Sequence, residues 1–190
     1  MAVTGWSNGG LRSWGSSTGD ETGTIVADNG SGQTGFLTRD QNNGIGDFEF
    51  TNTIKTTSDG GFAHGGIVFG LQDASNFYSI LYEIRWNGTF VKMFKNNDSG
   101  DATSGTQIGP EGHVASKNTT FHIKVVKVGS DFTIDIDSVQ ALTVSDATYS
   151  TGNIGYIYPS ASWNGNLSEY TFIEVKGGAP AQRRRIMVVS

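Results

Sequence analysis

The sequence feature that most constrains the fold is an alternation of apolar and polar residues with a period of two. In residues 131–137, Phe132, Ile134 and Ile136 alternate with polar residues, so one face of an extended segment is apolar. This pattern is typical of a half-buried strand, whereas an amphipathic helix repeats about every 3.6 residues. The same alternation recurs in residues 48–54, 78–86, 90–94, 121–128, 154–158 and 170–172. No stretch shows a convincing helical period.

Turn-forming sequences separate these segments. Asn87-Gly88 lies between two strong predicted strands and predicts a β-hairpin. Residues 128–131 (Val-Gly-Ser-Asp) predict a second one. The 27 glycines among 190 residues are about twice the average usage, as expected of a chain with many turns. Ten or more short strands predict an all-β fold, either an antiparallel jelly-roll β-sandwich or a barrel.

One predicted strand, residues 121–128, changes the phase of its alternation. Phe121, Ile123 and Val125 share one face, but the apolar residues that follow, Val126 and Val128, lie on the other. A β-bulge at residues 125–126 is predicted, because it would turn both halves toward the core.

The two ends differ from the rest of the chain. We predict an N-terminal arm at 1–21, a sandwich at 22–176 and a linker with a C-terminal arm at 177–190. The last segment carries three arginines and no acid, so the remainder has a net charge of −8 against −5 for the whole chain. An acidic body disfavours nucleic-acid binding.

The C-terminal arm is predicted to be an interface, either with other proteins or between copies in a homo-oligomer. The arginines would pair with acidic neighbours, and the apolar tip would add a strand to another subunit. The residues concerned are Arg183, Arg184, Arg185, Ile186, Met187, Val188 and Val189.

Composition excludes several classes of site and structure. The chain has no cysteine, so disulfides and thiolate metal sites are excluded. Its longest terminal aliphatic stretch, residues 186–189, is too short to span a bilayer, so membrane insertion is not expected. Residues 1–10 show no basic and no apolar region typical of a signal peptide.

Three pairs of stretches resemble the concanavalin A-like lectin and glucanase jelly rolls, a superfamily that includes laminin G-like modules. They are Gly35–Thr38 with Gly46–Phe50, Gly65–Gly70 with Asp73–Tyr78, and Thr151–Tyr156 with Tyr170–Val175. The resemblance covers roughly residues 22–176 and implies a jelly-roll sandwich. Because such folds carry lectins, hydrolases and structural modules, it does not by itself imply one function.

Catalytic patterns are incomplete. Laminarinase-like members of the superfamily carry Glu-x-Asp-x-x-Glu, and glycosidases need two suitably separated carboxylates. Asp135 and Asp137 alternate on one strand, but Gln140 stands where a third acid is required, and Asp47 and Glu49 are followed by Asn52. Solvated acids on an outer face explain both pairs. The three histidines, His64, His113 and His122, lie in separate segments. We therefore predict no enzymatic activity.

Binding chemistry is better represented. Sugar sites combine exposed aromatic rings with amides and acids, and Trp6, Trp86 and Trp163 each lie beside a turn. Trp86 continues an apolar face, which favours packing, whereas Trp163 lies in a polar loop. The predicted ligand-binding residues are Trp163, Trp86, Tyr158 and Asn164. A structural Ca²⁺ is a secondary prediction, with Asp98 and Asp101 in a glycine-rich loop as candidate ligands; Asp59 and Asp73 are alternatives.

Two hypotheses about the function follow. The first is a non-enzymatic structural protein. The short chain, its polar strands and its Arg-rich, aliphatic ending resemble bacteriophage virion proteins, which implies a capsid decoration or tail appendage located in the virion. The second is a glycan-binding, lectin-like module at a cell surface or outside the cell. The two can coexist if a virion protein touches host-surface glycan. A glycoside hydrolase is a third, weaker reading.

Overall fold

A computed structural model describes residues 5–10, 14–16, 24–27, 35–42, 44–56, 66–96, 105–115, 120–158 and 168–177. These residues form fourteen strands and one short 3-10 turn at Asp40–Asn42. The strands are β1 Trp6–Gly10, β2 Trp14–Ser16, β3 Thr24–Ala27, β4 Gly35–Arg39, β5 Phe48–Thr56, β6 Gly66–Leu71, β7 Phe77–Arg85, β8 Gly88–Asn96, β9 Thr106–Val114, β10 Thr120–Val128, β11 Asp131–Ile136, β12 Val139–Ser145, β13 Asn153–Tyr158 and β14 Ser168–Gly177.

The strands form two seven-stranded antiparallel sheets. The first has the order β1-β4-β13-β6-β7-β8-β9, and the second has the order β12-β11-β10-β5-β14-β3-β2. Apolar residues of the predicted alternations fill the space between the sheets, where Phe50, Tyr78, Ile134 and Tyr156 are fully buried. The predicted all-β sandwich is therefore confirmed.

The predicted bulge in β10 is wrong. The strand pairs in continuous register with both β5 and β11, so Lys127 rather than Val128 takes the inward position. Lys127 is 4% exposed, and its Nζ donates to the carbonyl oxygens of Gly129 at 2.8 Å and Ser150 at 3.0 Å. These bonds satisfy the buried ammonium, so the strand continues regularly while Val128 faces outward.

The described part of the predicted N-terminal arm, residues 1–21, lies within the sheets. β1 pairs with β4 along its whole length, and β2 pairs with β3. Trp6 is buried and stacks on Tyr156, with 5.0 Å between ring centroids. The aromatic side chain and the strand's hydrogen bonds integrate this segment into the sandwich. The predicted C-terminal arm lies outside the described residues from 178 onward.

One side of the sandwich is closed by close approach of β9 to β12. A Cβ on Gly112 would lie 2.4 Å from the carbonyl oxygen of Ala141, so only glycine fits there. Ala141 is the extra residue of a bulge opposite Ile134 and Asp135. Bulges of this kind redirect neighbouring side chains, and this one lies beside the polar outer face of β11. Among the described residues, no helix is long and apolar enough to cross a bilayer.

Candidate functional site

The most exposed large apolar side chain in the described part of the chain belongs to the β7–β8 hairpin. Arg85 pairs with Gly88, so the two-residue loop is Trp86-Asn87, one residue earlier than the sequence predicts. Trp86 is 86% exposed. The strand alternation would turn this residue inward, but at the loop the chain leaves the sheet before the side chain can reach the core.

An ion-pair network holds the base of this hairpin. Arg85 donates to Glu111 through two bonds, Nη1 to Oε1 at 2.7 Å and Nη2 to Oε2 at 2.8 Å, and to Glu83 at 2.6 Å. Lys92 lies 3.0 Å from Glu111. The bond from Arg85 is the main reason that the pKa of Glu111 is lowered, and Glu83 and Glu111 together raise the pKa of Arg85. Bidentate arginine–carboxylate pairs of this kind fix the orientation of both groups.

A layer of stacked groups lies beside the network. The guanidinium of Arg85 lies 4.1 Å from the ring centroid of Phe90, and His113 stacks on the same ring at 4.4 Å. His113 Nε2 lies 3.1 Å from the carbonyl oxygen of Asn87. Because this carbonyl can only accept, the ring nitrogen donates. The backbone of the loop carrying Trp86 is thereby fixed to β9.

This arrangement offers groups that can recognise a ligand. An exposed indole offers a flat apolar face against which the C–H face of a sugar ring can stack. The nearby Asn87 and the charged groups below it can exchange hydrogen bonds with hydroxyls. Arg85, Glu111 and His113 are held by their mutual contacts before any ligand arrives, which lowers the entropic cost of binding. We call Trp86, Asn87, Arg85, Glu111 and His113 the Trp86 surface.

Most of the other predicted site residues lie outside the described part of the chain. This applies to the ligand candidates Trp163 and Asn164, to the calcium candidates Asp98 and Asp101, and to the interface candidates Arg183 through Val189. Tyr158 is the last residue of β13, where its backbone pairs with Gly35; its side chain is not described. These assignments stay predictions.

Each carboxylate of the acidic pairs considered for hydrolysis contacts a basic side chain or a backbone N–H group. Asp135 pairs with Lys124 at 3.2 Å, and Asp137 Oδ1 accepts the backbone N–H of His122 at 2.8 Å. Asp47 Oδ1 accepts from the backbone of Gly129 at 2.8 Å, and Glu49 pairs with Lys176. Each of these carboxylates therefore makes a contact within the sheet that holds it in place.

A second polar cluster braces the loop after β12. The buried Tyr78 hydroxyl donates to Asp146 and accepts the backbone N–H of Tyr149 at 3.0 Å. Lys95 donates to Asp146 at 3.0 Å. Burial, followed by the bond to Asp146, raises the pKa of Tyr78 to about 12. Because these groups satisfy one another, the cluster acts as a structural support.

The described residues contain no group of three His, Asp or Glu side chains that could hold a metal ion. The alternative calcium ligand Asp73 is engaged within its own loop. Its carboxylate accepts from the backbone of Ser75 and from the backbone and side chain of Asn76, at 2.8–3.0 Å. These bonds, led by the one from the Asn76 side chain, lower its pKa.

Sequence reasoning identified Trp86 but missed the residues that support it. Alternation along β7 could have placed Glu83 and Arg85 on one outward face. The positions of Glu111 and His113 depend on β9, which contains a register shift opposite Val91 and Met93. Gly109-Pro110 lies at that shift, and glycine or proline inside a strand is the sequence signal that could have indicated it.

Comparison with known proteins gives the fold but no family. No family model and no curated protein matches the chain. Among solved structures, the carbohydrate-binding module CBM66 from Bacillus subtilis matches with a TM-score of 0.62 and 20% identity, covering 94% of this chain and 99% of that one. The chain has a lectin-like jelly-roll fold.

Two further similar structures are a mannose-bound domain and a carbohydrate recognition domain. The exoplasmic/lumenal domain of VIP36, in a Ca²⁺- and mannose-bound form, has 10% identity and a TM-score of 0.62, covering 94% of this chain and 85% of that one. The carbohydrate recognition domain of Emp47p has 16% identity and a TM-score of 0.57, covering 92% and 89%. At these identities the likeness concerns the fold alone.

Proposed function

We propose that this protein is a non-enzymatic carbohydrate-binding domain and that Trp86 is its stacking platform. The observation that carries the proposal is the 86% exposure of Trp86 on a hairpin fixed to its neighbour by ion pairs and ring stacking. A ligand that covers so large an apolar side chain gains free energy, roughly 25 cal/mol per Å² of apolar surface removed from water. The lectin-like fold supports the same function. Two of the similar structures are named for carbohydrate binding or recognition, and the third is a mannose-bound form.

The mode of binding follows from the groups around the indole. One face of a pyranose or furanose ring lies on Trp86, and hydroxyls at its edge reach the amide of Asn87. The Arg85–Glu111 pair then offers a donor and an acceptor for a further hydroxyl. Since this pair is partly solvent-accessible, a sugar can contact it without breaking it.

A glycan array with the full chain tests this proposal, followed by titration of any glycan that binds. Trp86→Ala is expected to weaken binding about tenfold or more, as for other central tryptophans of interfaces. Trp86→Phe is expected to restore part of the affinity because it keeps an aromatic face. Val139→Ala is the matched control, since Val139 is also an exposed apolar residue beside a hairpin loop, and it should bind as the natural protein does.

Two outcomes would contradict the proposal. One is an array with no reproducible binding. The other is binding that survives Trp86→Ala unchanged.

A location outside the cell, or at a surface where glycans are displayed, is consistent with this function. The virion role stays a prediction, since no similar structure supports it. The interface at Arg183–Val189 also stays a prediction, because those residues lie outside the described part of the chain. Removal of residues 178–190 leaves all fourteen strands, so the shortened chain is expected to fold. The interface prediction requires that the shortened chain no longer assembles or docks, and measurement of its native mass checks this.

A further inference from the structure

A depression of about 250 Å³ lies on the outer face of the second sheet, away from the β7–β8 hairpin of the first sheet. It is lined by Thr51, His122, Lys124, Asp135 and Ser138. Its volume approaches the lower end of small-ligand pockets, about 300 Å³. None of these residues contributes to the Trp86 surface.

Sheet register explains why the lining residues meet. Lys124 in β10 lies directly between Thr51 of β5 and Asp135 of β11, so three neighbouring strands contribute one cross-strand row. Lys124 Nζ lies 3.2 Å from Asp135 Oδ2. In the next row His122 faces Thr53, and its Nδ1 lies 3.0 Å from the threonine hydroxyl. The ring is thus held in place by a bond on the side of Nδ1.

The hairpin between β11 and β12 closes one end of the depression. Its loop residues, Asp137 and Ser138, have φ angles of 49° and 68°, the positive values of a type I′ turn. They are the described non-glycine residues with positive φ. Asp137 N donates to the carbonyl of His122 at 2.9 Å, and His122 N donates to Asp137 Oδ1 at 2.8 Å. These bonds hold a strained backbone that places Ser138 at the edge of the depression.

Strain of about 1–3 kcal/mol at a residue in such a conformation persists only where surrounding structure enforces it, and it concentrates at ligand sites. Glycine would remove that cost at position 138. The hydroxymethyl group of Ser138 gives the depression a group that both donates and accepts hydrogen bonds.

The chemistry of the lining selects a neutral hydroxylated ligand. Lys124 can only donate, Asp135 can only accept, and the hydroxyls of Thr51 and Ser138 can do both. Asp135 neutralises the charge of Lys124, and Asp137 adds a carboxylate in the hairpin at the end of the depression, so an anion is disfavoured. The lining has no aromatic ring other than the imidazole, so face stacking is not its mode of binding.

We propose that this depression is a second binding site, which takes the vicinal diol of a neutral ring sugar or cyclic polyol. One hydroxyl donates to Asp135 and the adjacent hydroxyl accepts from Lys124, since these groups sit side by side on neighbouring strands. Ser138 and His122 contact hydroxyls further around the ring. The inference extends the proposed carbohydrate binding to a second surface, and it rests on that proposal only for the identity of the ligand as a sugar.

Amide NMR titration of the full chain tests the proposal with three probes. They are methyl α-D-mannopyranoside, myo-inositol and tetrahydropyran, a ring ether without hydroxyls. The first two are expected to shift amides of His122, Lys124, Asp135 and Ser138 in a saturable way, and tetrahydropyran is expected to leave them unchanged. Shifts with mannoside alone assign the site to sugar units, whereas shifts with both assign it to cyclic diols in general.

Asp135→Asn and Lys124→Met are each expected to weaken binding at least tenfold. The matched control is Lys176→Met, which removes an exposed lysine paired with Glu49 and Glu174 on the same sheet; Lys176 does not line the depression. It should leave the titration unchanged, and a dispersed spectrum shows that each variant is folded. Absence of shifts at high probe concentration, equal shifts with tetrahydropyran, or unchanged binding by Asp135→Asn overturns the proposal.

The proposals for the two sites can be refuted independently of each other. Loss of the NMR shifts with an intact, Trp86-dependent array signal overturns only the second site. A blank array with saturable shifts at Asp135 overturns the role of Trp86 and leaves the diol site standing. Trp86→Ala is expected to leave the NMR titration unchanged.

Discussion

The β7–β8 and β11–β12 hairpins both have two-residue loops, yet they build opposite kinds of surface. The first loop projects Trp86 into solvent, and the unusual backbone is at Gly88, which has a φ of 147°. The second loop borders a depression, and its positive φ angles fall on Asp137 and Ser138. Backbone strain is therefore avoided under the projecting aromatic and retained beside the concave polar surface.

This difference shows how the two surfaces are stabilised. Beneath Trp86, side chains provide the rigidity through the Arg85–Glu111 pair and the stacked Phe90 and His113. At Ser138, main-chain bonds between Asp137 and His122 provide it. Replacing the glycine of the first hairpin should therefore lower the stability of the fold, whereas introducing glycine into the second should raise it.

The largest expected effect is that of Gly88→Ala. A Cβ at this position would lie 2.3 Å from the carbonyl oxygen of Val114 and 2.6 Å from His113 Nε2. We expect a loss of about 3 kcal/mol, because the clash adds to an unfavourable φ. Thermal unfolding should show a Tm lower by roughly 6–12 °C.

Gly46→Ala is the control for this effect. Its nearest contact would be 3.6 Å away, and its φ is not in the positive region. If both variants unfold at the same temperature, Gly88 does not support the hairpin.

A smaller effect is expected from Glu111→Gln, which removes the partner of Arg85 and Lys92. The folded pKa of Glu111 is lowered, so its stabilising contribution is present above its unfolded pKa of about 4.3. That contribution is lost as pH falls through the lower folded pKa. We expect the variant to be about 1 kcal/mol less stable at neutral pH. This difference should disappear in strong acid.

Denaturant unfolding measured across pH checks this expectation. Glu174→Gln, which affects a more exposed pair with Lys176, should change stability little. A stability difference for Glu111→Gln that stays constant down to strong acid would contradict an origin in the ionised pair.

The smallest expected effect has the opposite sign. Ser138→Gly should stabilise the chain by about 0.5 kcal/mol, because relief of about 1–2 kcal/mol of left-handed strain exceeds the entropy cost of glycine, about 0.5–1 kcal/mol. Ser145→Gly in β12 should instead destabilise, since extended backbone gains nothing from glycine. A destabilising Ser138→Gly would show that the serine side chain stabilises the turn.

Much of the fold could be predicted because its signal is local. The alternation at Phe132, Ile134 and Ile136 indicated a strand with one buried face, and the structure buries all three. Residue 127 shows where local reasoning failed. The change of phase in β10 looked like a bulge, but two backbone carbonyls accept from Lys127 and allow a lysine inward. The sequence holds no mark of those carbonyls, since they come from two different loops.

The candidate sites were predicted only in part. Trp86 stood out as an aromatic beside a turn, but its exposure depends on where the hairpin loop begins. The row formed by Thr51, Lys124 and Asp135 comes from three strands, of which β5 is far from the others in sequence. Whether these residues meet depends on strand order and register, which cannot be read from any single segment of the sequence.

The sequence by itself determined the strands, the apolar faces and most of the turns, because each depends on residues a few positions apart. Tertiary structure decided the order of strands in the two sheets, the register shift that brings Glu111 to Arg85, and the row that lines the depression. These features arise from hydrogen bonding between distant strands. A shift of one residue there moves every side chain to the opposite face.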